Sequence, residues 1–269
     1  MNKSVCDLTD FKEAQRVVYK RVKGRELELV YCLPEQEDKP CTAVVWIHGG
    51  GLTGGRAEDY IPHCRFFAEA GIVGISVEYR LLSDEVTVED CIADAADAVR
   101  YIRLHAGLFG IDPKRIAVVG ESAGGYLATA LVTVAEDPDG GSRPDAVVNC
   151  NGVVDLTGAF MYFVSPESHV RPEEATEEVK KRAKELSPLY HVGSSLPPLL
   201  NLQGKRDRTV EPGITEAFHR SYREKGNNSE IVLWEDAAHA FLVIGYTATR
   251  QQIDRAMAEI WKFVRQVKW

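Results

Sequence analysis

One pentapeptide constrains this chain more than any other feature, because of the sequence on either side of it. Gly120-Glu-Ser-Ala-Gly124 follows an apolar run that ends at Val119 and precedes Ala-, Leu- and Thr-rich sequence suited to a helix. This order predicts a buried strand, a very tight turn and a packed helix, with Ser122 at the apex. Side chains at Gly120 and Gly124 would collide in so sharp a turn. We therefore expect the Ser122 hydroxyl to stand at the carboxyl edge of a sheet.

Predicted strands and helices alternate on both sides of this turn. Two short alternating segments, 16–21 and 26–33, predict a leading hairpin. The alternation that follows favours an α/β fold, with a mostly parallel sheet and an antiparallel edge, in one domain over residues 1–269. The further strands are expected at 43–47, 72–77, 146–150, 199–202 and 231–234, and the helices at 58–70, 88–105, from Ser122 to near 136, 173–185, 212–225 and 248–264.

Charge and cysteine usage narrow the class of protein. The 32 basic and 40 acidic residues give a net charge of −8, which argues against nucleic-acid or anionic-membrane partners, since phosphate binding needs clustered Lys and Arg. Residues 1–15 lack the apolar core of a secretory signal, and no apolar run is long enough to span a bilayer. The six cysteines are scattered, without a Cys-x-x-Cys pair. We expect a cytoplasmic protein, although processing of a secretion signal would leave the same sequence.

A serine nucleophile needs a base, an orienting carboxylate and donors for the oxyanion. His239 follows the last predicted strand, and Asp207 follows the preceding strand through a glycine turn. The order Ser122, Asp207, His239 is that of hydrolases whose serine lies in a Gly-x-Ser-x-Gly turn. Asp155 and Asp236 are alternative carboxylates. Asp155 comes one strand earlier than expected, and Asp236 lies very near His239 on the same loop.

A glycine run, His48-Gly49-Gly50-Gly51, follows the predicted strand 43–47. Glycines let a backbone turn its N–H groups toward a substrate carbonyl without interference from Cβ atoms. We expect the N–H groups of Gly50, Gly51 and Ala123 to form the oxyanion hole. His48 is expected to support this loop rather than to transfer protons.

The same glycines also match a dinucleotide-binding pattern, Gly49-x-Gly51-x-x-Gly54, with Glu78 at the end of the next strand. That site needs a helix that begins within the glycine run, whereas residues 52–56 are typical of a loop. It also leaves Ser122 and its partners unexplained. No pair of histidines has the helical spacing of a metal site, so neither a metal nor a nucleotide cofactor is expected.

Together these motifs resemble those of the α/β-hydrolase superfamily. From about Thr42 to the carboxyl end, the chain is similar to the His-Gly-Gly-Gly esterases of the hormone-sensitive-lipase-like kind and to bacterial carbohydrate esterases. Hormone-sensitive-lipase relatives usually carry a helical cap before the first hairpin, where this chain has only about fifteen residues. That departure favours the compact acetyl xylan and feruloyl esterases. The motifs that carry the similarity are residues 44–51, 78–81, 120–125, 207–210 and 239–241.

The resemblance implies a twisted sheet of about eight strands with helices on both faces and a small lid insertion at about 156–196. It further implies that Ser122, Asp207 and His239 form the triad of a serine carboxylesterase. Such an enzyme hydrolyses short-chain acyl esters through an acyl-enzyme, without a metal or an organic cofactor. Fragments of plant polysaccharide that carry acetyl or feruloyl groups are the expected substrates.

Substrate contacts are the least constrained part of this interpretation. We expect them from Leu52, Tyr126, Phe160 and Phe241. The expected partner is a small ester, for example an acylated oligosaccharide, and the sequence leaves open whether the chain forms a homodimer. Two other functions also stay open. One is an arylformamidase-type amide hydrolase that uses the same triad, and the other is a non-catalytic binding protein that retains the hydrolase fold.

Overall fold

Eight strands form one continuous sheet in the computed structural model, which describes residues 4–8, 14–35, 40–165 and 172–269. Their order across the sheet is β1-β2-β4-β3-β5-β6-β7-β8. The second strand pairs antiparallel with both of its neighbours, and the other neighbouring pairs are parallel. The predicted sheet, mostly parallel with an antiparallel edge, is confirmed. The strands are β1 (Gln15–Val22), β2 (Arg25–Cys32), β3 (Cys41–Ile47), β4 (Val73–Val77), β5 (Ile111–Glu121), β6 (Ala146–Cys150), β7 (Leu199–Gly204) and β8 (Ser229–Trp234).

Helices cover both faces of the sheet. Alternate residues of a strand point to opposite faces, so Val45 of β3 joins the core layer under one set of helices and Trp46 joins the layer under the other. Because both faces are covered, β4, β6 and β7 are buried at every residue. In the described part of the chain the helices are α1 (Ile61–Glu69), α2 (Val88–Leu104), α3 (Ala106–Phe109), α4 (Ala123–Thr133), α5 (Glu177–Glu185), α6 (Pro212–Glu224) and α7 (Arg250–Gln266). Residues of α2, α4 and α6 belong to the first layer, and residues of α1 and α7 to the second.

Side-chain caps explain where helices begin. The hydroxyl of Thr87 accepts the N–H of Asp90, and the Asp90 carboxylate accepts the N–H of Thr87, so these two residues form a capping box at the start of α2. The last helix begins at Arg250 rather than at 248, because Thr249 and Gln252 form a second capping box there.

The insertion, residues 156–196, lies between β6 and β7, and its residues 166–171 fall outside the described part of the chain. It contains a 3₁₀ turn (Met161–Phe163), the helix α5 and a second 3₁₀ turn (Pro188–Tyr190). The helix expected over 173–185 begins only at Glu177, because the Thr176 side chain caps it.

Two polar contacts attach the insertion to the first helical layer. The Tyr126 hydroxyl of α4 donates to the carbonyl oxygen of Leu186 at 3.1 Å. The Arg182 guanidinium of α5 forms a forked pair with the Glu89 carboxylate of α2, with contacts of 2.7 and 2.8 Å. The carboxyl-terminal half of the insertion is therefore fastened to helices that flank the predicted site.

All six cysteines lie in the described part of the chain, and none of them forms a disulfide. Burial raises the pKa of the Cys64 and Cys150 thiols, so these groups stay protonated and pack as small apolar side chains. Among the helices of the described residues, none combines the length and the apolar character needed to cross a bilayer.

Candidate active site

Ser122 lies on a strained turn between β5 and α4. Its φ of 55° and ψ of −116° form a conformation that a non-glycine residue adopts at a cost of about 1–3 kcal/mol. A Cβ atom at Gly120 would lie 2.0 Å from the carbonyl oxygen of Gly124, and one at Gly124 would lie 2.0 Å from that of Ile47. The glycines therefore let strand and helix approach closely, and the partly exposed serine stands at the carboxyl edge of the sheet.

His239 and Asp207 reach Ser122 from the loops that follow β8 and β7. The Nε2 atom of His239 lies 2.8 Å from Ser122 Oγ, and its Nδ1 atom lies 2.8 Å from Asp207 Oδ2. With the proton on Nδ1, the imidazole donates to the carboxylate and accepts the serine hydroxyl. Such a hydroxyl can lose its proton to the imidazole while its oxygen attacks a carbonyl carbon. The structure thus brings together the three residues that the sequence predicts.

The Asp207 carboxylate is buried and fully occupied by donors. Its Oδ1 accepts the N–H groups of Thr209 and Val210, at 2.8 and 2.9 Å, and its Oδ2 accepts Nε2 of Gln203 at 3.1 Å in addition to His239. Burial raises the pKa of Asp207, but the hydrogen bonds from His239, Val210 and Thr209 outweigh burial and hold that pKa below its usual value. Asp207 therefore stays ionised beside His239.

The two alternative carboxylates bind other groups. Asp155 accepts the N–H and the hydroxyl of Thr157, at 2.9 and 2.7 Å, and receives the Tyr190 hydroxyl at 3.3 Å. Asp236 is half-exposed and pairs with Arg255 at 2.7 Å. The structure therefore places Asp207, and neither alternative, against the imidazole.

The glycine loop after β3 packs directly against the nucleophile turn, because a Cβ atom at Gly49 would lie 3.3 Å from the Cβ of Ser122. Gly50 and Gly51 have φ values of 108° and 64°, in the left-handed region that favours glycine. Within the described residues, the N–H groups of Gly50, Gly51 and Ala123 donate to no backbone carbonyl. These groups are therefore free to donate to a ligand oxygen, as an oxyanion hole requires.

His48 supports the glycine loop from behind. Its Nδ1–H donates to the Gly49 carbonyl at 2.8 Å, and its ring stacks on Tyr79 with centroids 4.3 Å apart. The Tyr79 hydroxyl in turn donates to the His48 carbonyl at 2.9 Å. Burial lowers the pKa of His48, so the ring stays neutral and acts as a structural support.

Glu121 links the nucleophile turn to the loop that carries His239, a role that sequence reasoning missed. It is buried behind Ser122, where it accepts the N–H of Leu242 at 2.9 Å and the Tyr60 hydroxyl. Asn151, after β6, accepts the N–H of Ala240 at 3.3 Å. Burial raises the pKa of Glu121, although its hydrogen bonds oppose that effect. Gln203 was missed in the same way. It lies just beyond the predicted strand 199–202, within the observed β7, and nothing in its local pattern distinguishes it.

The four predicted substrate contacts lie in different surroundings. Leu52 and Tyr126 are fully buried in the first core layer, where they stand behind the surface of the site. Phe241 is 1 % exposed and packs edge-on against Trp234 in the second layer, on the opposite face of the sheet. Phe160 alone of the four keeps a partly exposed side chain.

The described residues contain no group of three or more His, Cys, Asp or Glu side chains placed to hold a metal ion. Glu78, on which the dinucleotide alternative depends, accepts the backbone N–H of Glu28 in β2 at 3.2 Å. Its carboxylate therefore stabilises the edge of the sheet.

A family comparison agrees with this geometry. The BD-FAE family matches residues 29–222, which include the glycine loop, the Ser122 turn and Asp207. The chain belongs to the BD-FAE family. The match to this family ends before His239, which the structure nevertheless places against Ser122.

Solved structures with the same fold include other members of the α/β-hydrolase superfamily. Esterase 2 of Thermogutta terrifontis, in its native form, superposes with a TM-score of 0.80 at 31% sequence identity, over 94% of this chain and 92% of the esterase. Its butyrate-bound form gives a TM-score of 0.81 over 94% of each chain. The BD-FAE chain described here therefore has the α/β-hydrolase fold.

The curated relatives that match most of the chain are more distant in sequence. The "probable carboxylic ester hydrolase LipM" of Mycobacterium tuberculosis is 26% identical over 79% of this chain and 53% of its own length. An ethyl acetate hydrolase of Pseudomonas putida is 27% identical over 82% of this chain and 73% of its own length. The chain thus spans about half the length of the first of these relatives.

Proposed function

We propose that this protein is a serine carboxylesterase that hydrolyses short-chain acyl esters through an acyl-enzyme. The observation that carries the proposal is the continuous path from Ser122 Oγ through the His239 ring to Asp207, with both contacts at 2.8 Å. The free N–H groups of the adjacent loop support it, because an attacked ester carbonyl needs donors at that place.

In the first half of the reaction, Nε2 of His239 takes the Ser122 proton while Oγ bonds to the ester carbonyl carbon. The N–H groups of Gly50, Gly51 and Ala123 donate to the oxyanion that forms, and Asp207 stabilises the imidazolium. The imidazolium then gives its proton to the leaving alcohol as the carbon–oxygen bond breaks, which leaves the acyl group on Ser122.

In the second half, His239 takes a proton from water while the water oxygen attacks the acyl carbon. The second tetrahedral intermediate collapses, the Ser122 oxygen recovers the proton from His239 and the carboxylic acid leaves. Each proton that the imidazole accepts is returned, so the residues of the chain end unchanged.

Two of the relatives support short acyl groups. The esterase of Thermogutta terrifontis has been solved with butyrate and with propionate bound, and the Pseudomonas putida relative is an ethyl acetate hydrolase. We further propose acetylated or feruloylated plant polysaccharide fragments as substrates. Two aromatic side chains of the insertion, Phe160 and Tyr162, support this choice, since they offer apolar faces to a sugar or phenolic ring.

Replacement of the nucleophile tests the reaction type. Ser122→Ala should lower kcat on p-nitrophenyl acetate by about 10⁶-fold, whereas Ser194→Ala, at an exposed serine, should leave kcat unchanged. A fluorophosphonate probe should label Ser122 in the folded wild type. Full activity of Ser122→Ala would contradict the proposal, and an inactive, unlabelled wild type would indicate a non-catalytic binding protein.

A substrate panel tests the acyl and alcohol groups. The ratio kcat/KM should be higher for acetylated xylo-oligosaccharides or methyl ferulate than for simple alkyl esters and long-chain triglycerides. Simple alkyl esters as the best substrates would restrict the proposal to a general short-chain esterase. Faster turnover of N-formylkynurenine than of any ester would identify an arylformamidase instead.

A further inference from the structure

The oxyanion loop, residues 48–52, holds three consecutive residues in the left-handed region. The φ values are 108° at Gly50, 64° at Gly51 and 60° at Leu52. A left-handed leucine costs about 1–2 kcal/mol, so contacts from the rest of the molecule must hold this conformation in place.

Each N–H in the loop shares a rigid peptide plane with the carbonyl of the preceding residue, so a bond to that carbonyl also orients the N–H. The loop has four successive carbonyls, from Gly49 to Leu52. Three of them accept hydrogen bonds from residues that do not belong to the insertion. These bonds reach Gly49 from the His48 ring at 2.8 Å, Gly50 from the N–H groups of Thr53 and Gly54 at 3.1 and 3.0 Å, and Leu52 from the N–H of Leu82 at 2.7 Å.

The remaining carbonyl, that of Gly51, is held from the insertion. The Tyr162 hydroxyl donates to it at 3.3 Å. The two groups are packed closely, because a Cβ atom at Gly51 would lie 2.8 Å from the same hydroxyl oxygen. The two bonds to the Gly50 carbonyl fix the peptide plane that carries the Gly51 N–H, and the Tyr162 contact fixes the plane that follows. Both peptide planes that flank Gly51 are therefore held.

Aromatic packing fixes the position of Tyr162 itself. Its ring meets Phe163 edge-on with centroids 4.8 Å apart, and Phe163 meets Tyr126 of the nucleophile helix at 5.5 Å. Tyr126 thus contacts the insertion at two places. Its ring packs against Phe163, and its hydroxyl donates to the carbonyl of Leu186. Tyr162 is therefore held rigidly with respect to both Ser122 and the loop.

We propose that Tyr162 is a positioning residue for the oxyanion loop, so that the insertion completes the oxyanion hole. The hydroxyl acts on the Gly51 carbonyl and makes no bond to substrate. The ground-state complex is thus little affected by its loss, whereas the transition state, which needs aligned donors, is destabilised. This inference rests on the proposed esterase function.

Removal of one hydroxyl tests the proposal. In Tyr162→Phe, kcat on p-nitrophenyl acetate should fall about 5- to 10-fold, the loss expected for one hydrogen bond, with KM within about twofold of wild type. A trifluoromethyl ketone that forms a tetrahedral adduct with Ser122 should lose affinity by the same factor as kcat/KM. A role confined to stability would change neither quantity when both are measured well below the melting temperature.

Tyr190→Phe is the matched control, because it removes another hydroxyl of the insertion with a bond of the same length, 3.3 Å to Asp155, and should leave kcat unchanged. Unchanged kcat in Tyr162→Phe, a rise in KM alone, or an equal loss in Tyr190→Phe would each overturn the inference. An inactive wild type would contradict the esterase function instead, so the two failures are distinguishable.

Discussion

At the scale of single residues, His63 shows how a polar group can be buried next to the site without taking part in it. Its Nε2–H donates to the Leu242 carbonyl, in the loop that follows His239, at 3.0 Å. Its Nδ1 atom has no partner in the described structure, and the imidazole ring packs against the rings of Trp46 and Tyr60. Burial lowers the pKa of His63 to about 4, although the bond to Leu242 opposes this. Protonation would place an unpaired charge in the core.

This shift predicts a loss of stability in acid. The unfolded chain binds a proton at His63 below about pH 6.5, whereas the folded protein binds it only near pH 4. Stability is therefore complete above pH 6.5 and falls as the pH drops through this window, by about 3 kcal/mol in total. Urea unfolding at about pH 7 and pH 4.5 should show a smaller pH dependence for His63→Gln than for wild type. Equal pH dependence in the two proteins would contradict this assignment.

At the scale of elements, the turn at Ser122 depends on close contact between β3, β5 and α4. The helix begins immediately after the serine, and Gly124 in its first turn lies against the carbonyl groups that end β3. No small adjustment of a side chain can make room there, because the neighbouring atoms are backbone. The distance between the helix and the strands is therefore set by the absence of a Cβ atom.

We expect Gly124→Ala to destabilise the fold by about 3 kcal/mol or more, since its Cβ would lie 2.0 Å from the Ile47 carbonyl oxygen. Gly107→Ala is the control. Gly107 is also helical, and an added Cβ there would meet nothing within 4 Å, so the change should be between zero and about 1 kcal/mol stabilising. Urea unfolding monitored by circular dichroism measures both. Similar stabilities for the two variants would show that the turn tolerates a wider spacing.

At the scale of the whole molecule, a buried ionic network joins the antiparallel edge of the sheet to the first helical layer. Arg80, after β4, is 4 % exposed and forms a forked pair with Asp94 of α2, with contacts of 2.7 and 2.9 Å. Lys20 of β1 reaches the same carboxylate at 2.6 Å. One carboxylate thus holds three elements together, and its loss would leave a buried guanidinium without its main partner.

Asp94→Asn should therefore destabilise the protein by about 3 kcal/mol. The control is Asp97→Asn, three residues further along α2. Asp97 binds Lys20 and Arg100 but is 38% exposed, so its replacement should cost less than about 1 kcal/mol. Thermal melting and urea titration of both variants provide the comparison. A loss of equal size in the two would show that burial does not decide the strength of this network.

Local sequence was sufficient for the order of the strands and for the turn at Ser122. The apolar runs are long enough to be strands buried on both faces, and the glycines around Ser122 allow only a tight turn, so sheet, turn and helix follow from short-range pattern. The residue at which a helix begins was harder to predict. The start of α7 moved to Arg250 because a capping box at Thr249 competes with the apolar pattern.

Contacts between distant segments were decided only by the tertiary structure. Asp155, Asp207 and Asp236 all follow strands. Their order along the chain favours Asp207, but only the tertiary structure shows that Asp207 is the one that meets His239. Glu121, Gln203 and Tyr162 are ordinary residues in sequence, and each gains its place from a partner that another element supplies. The physical reason is that hydrogen bonds and burial depend on distances in space. The sequence pattern determines where a strand or turn occurs, whereas packing of the elements determines which side chains share a site.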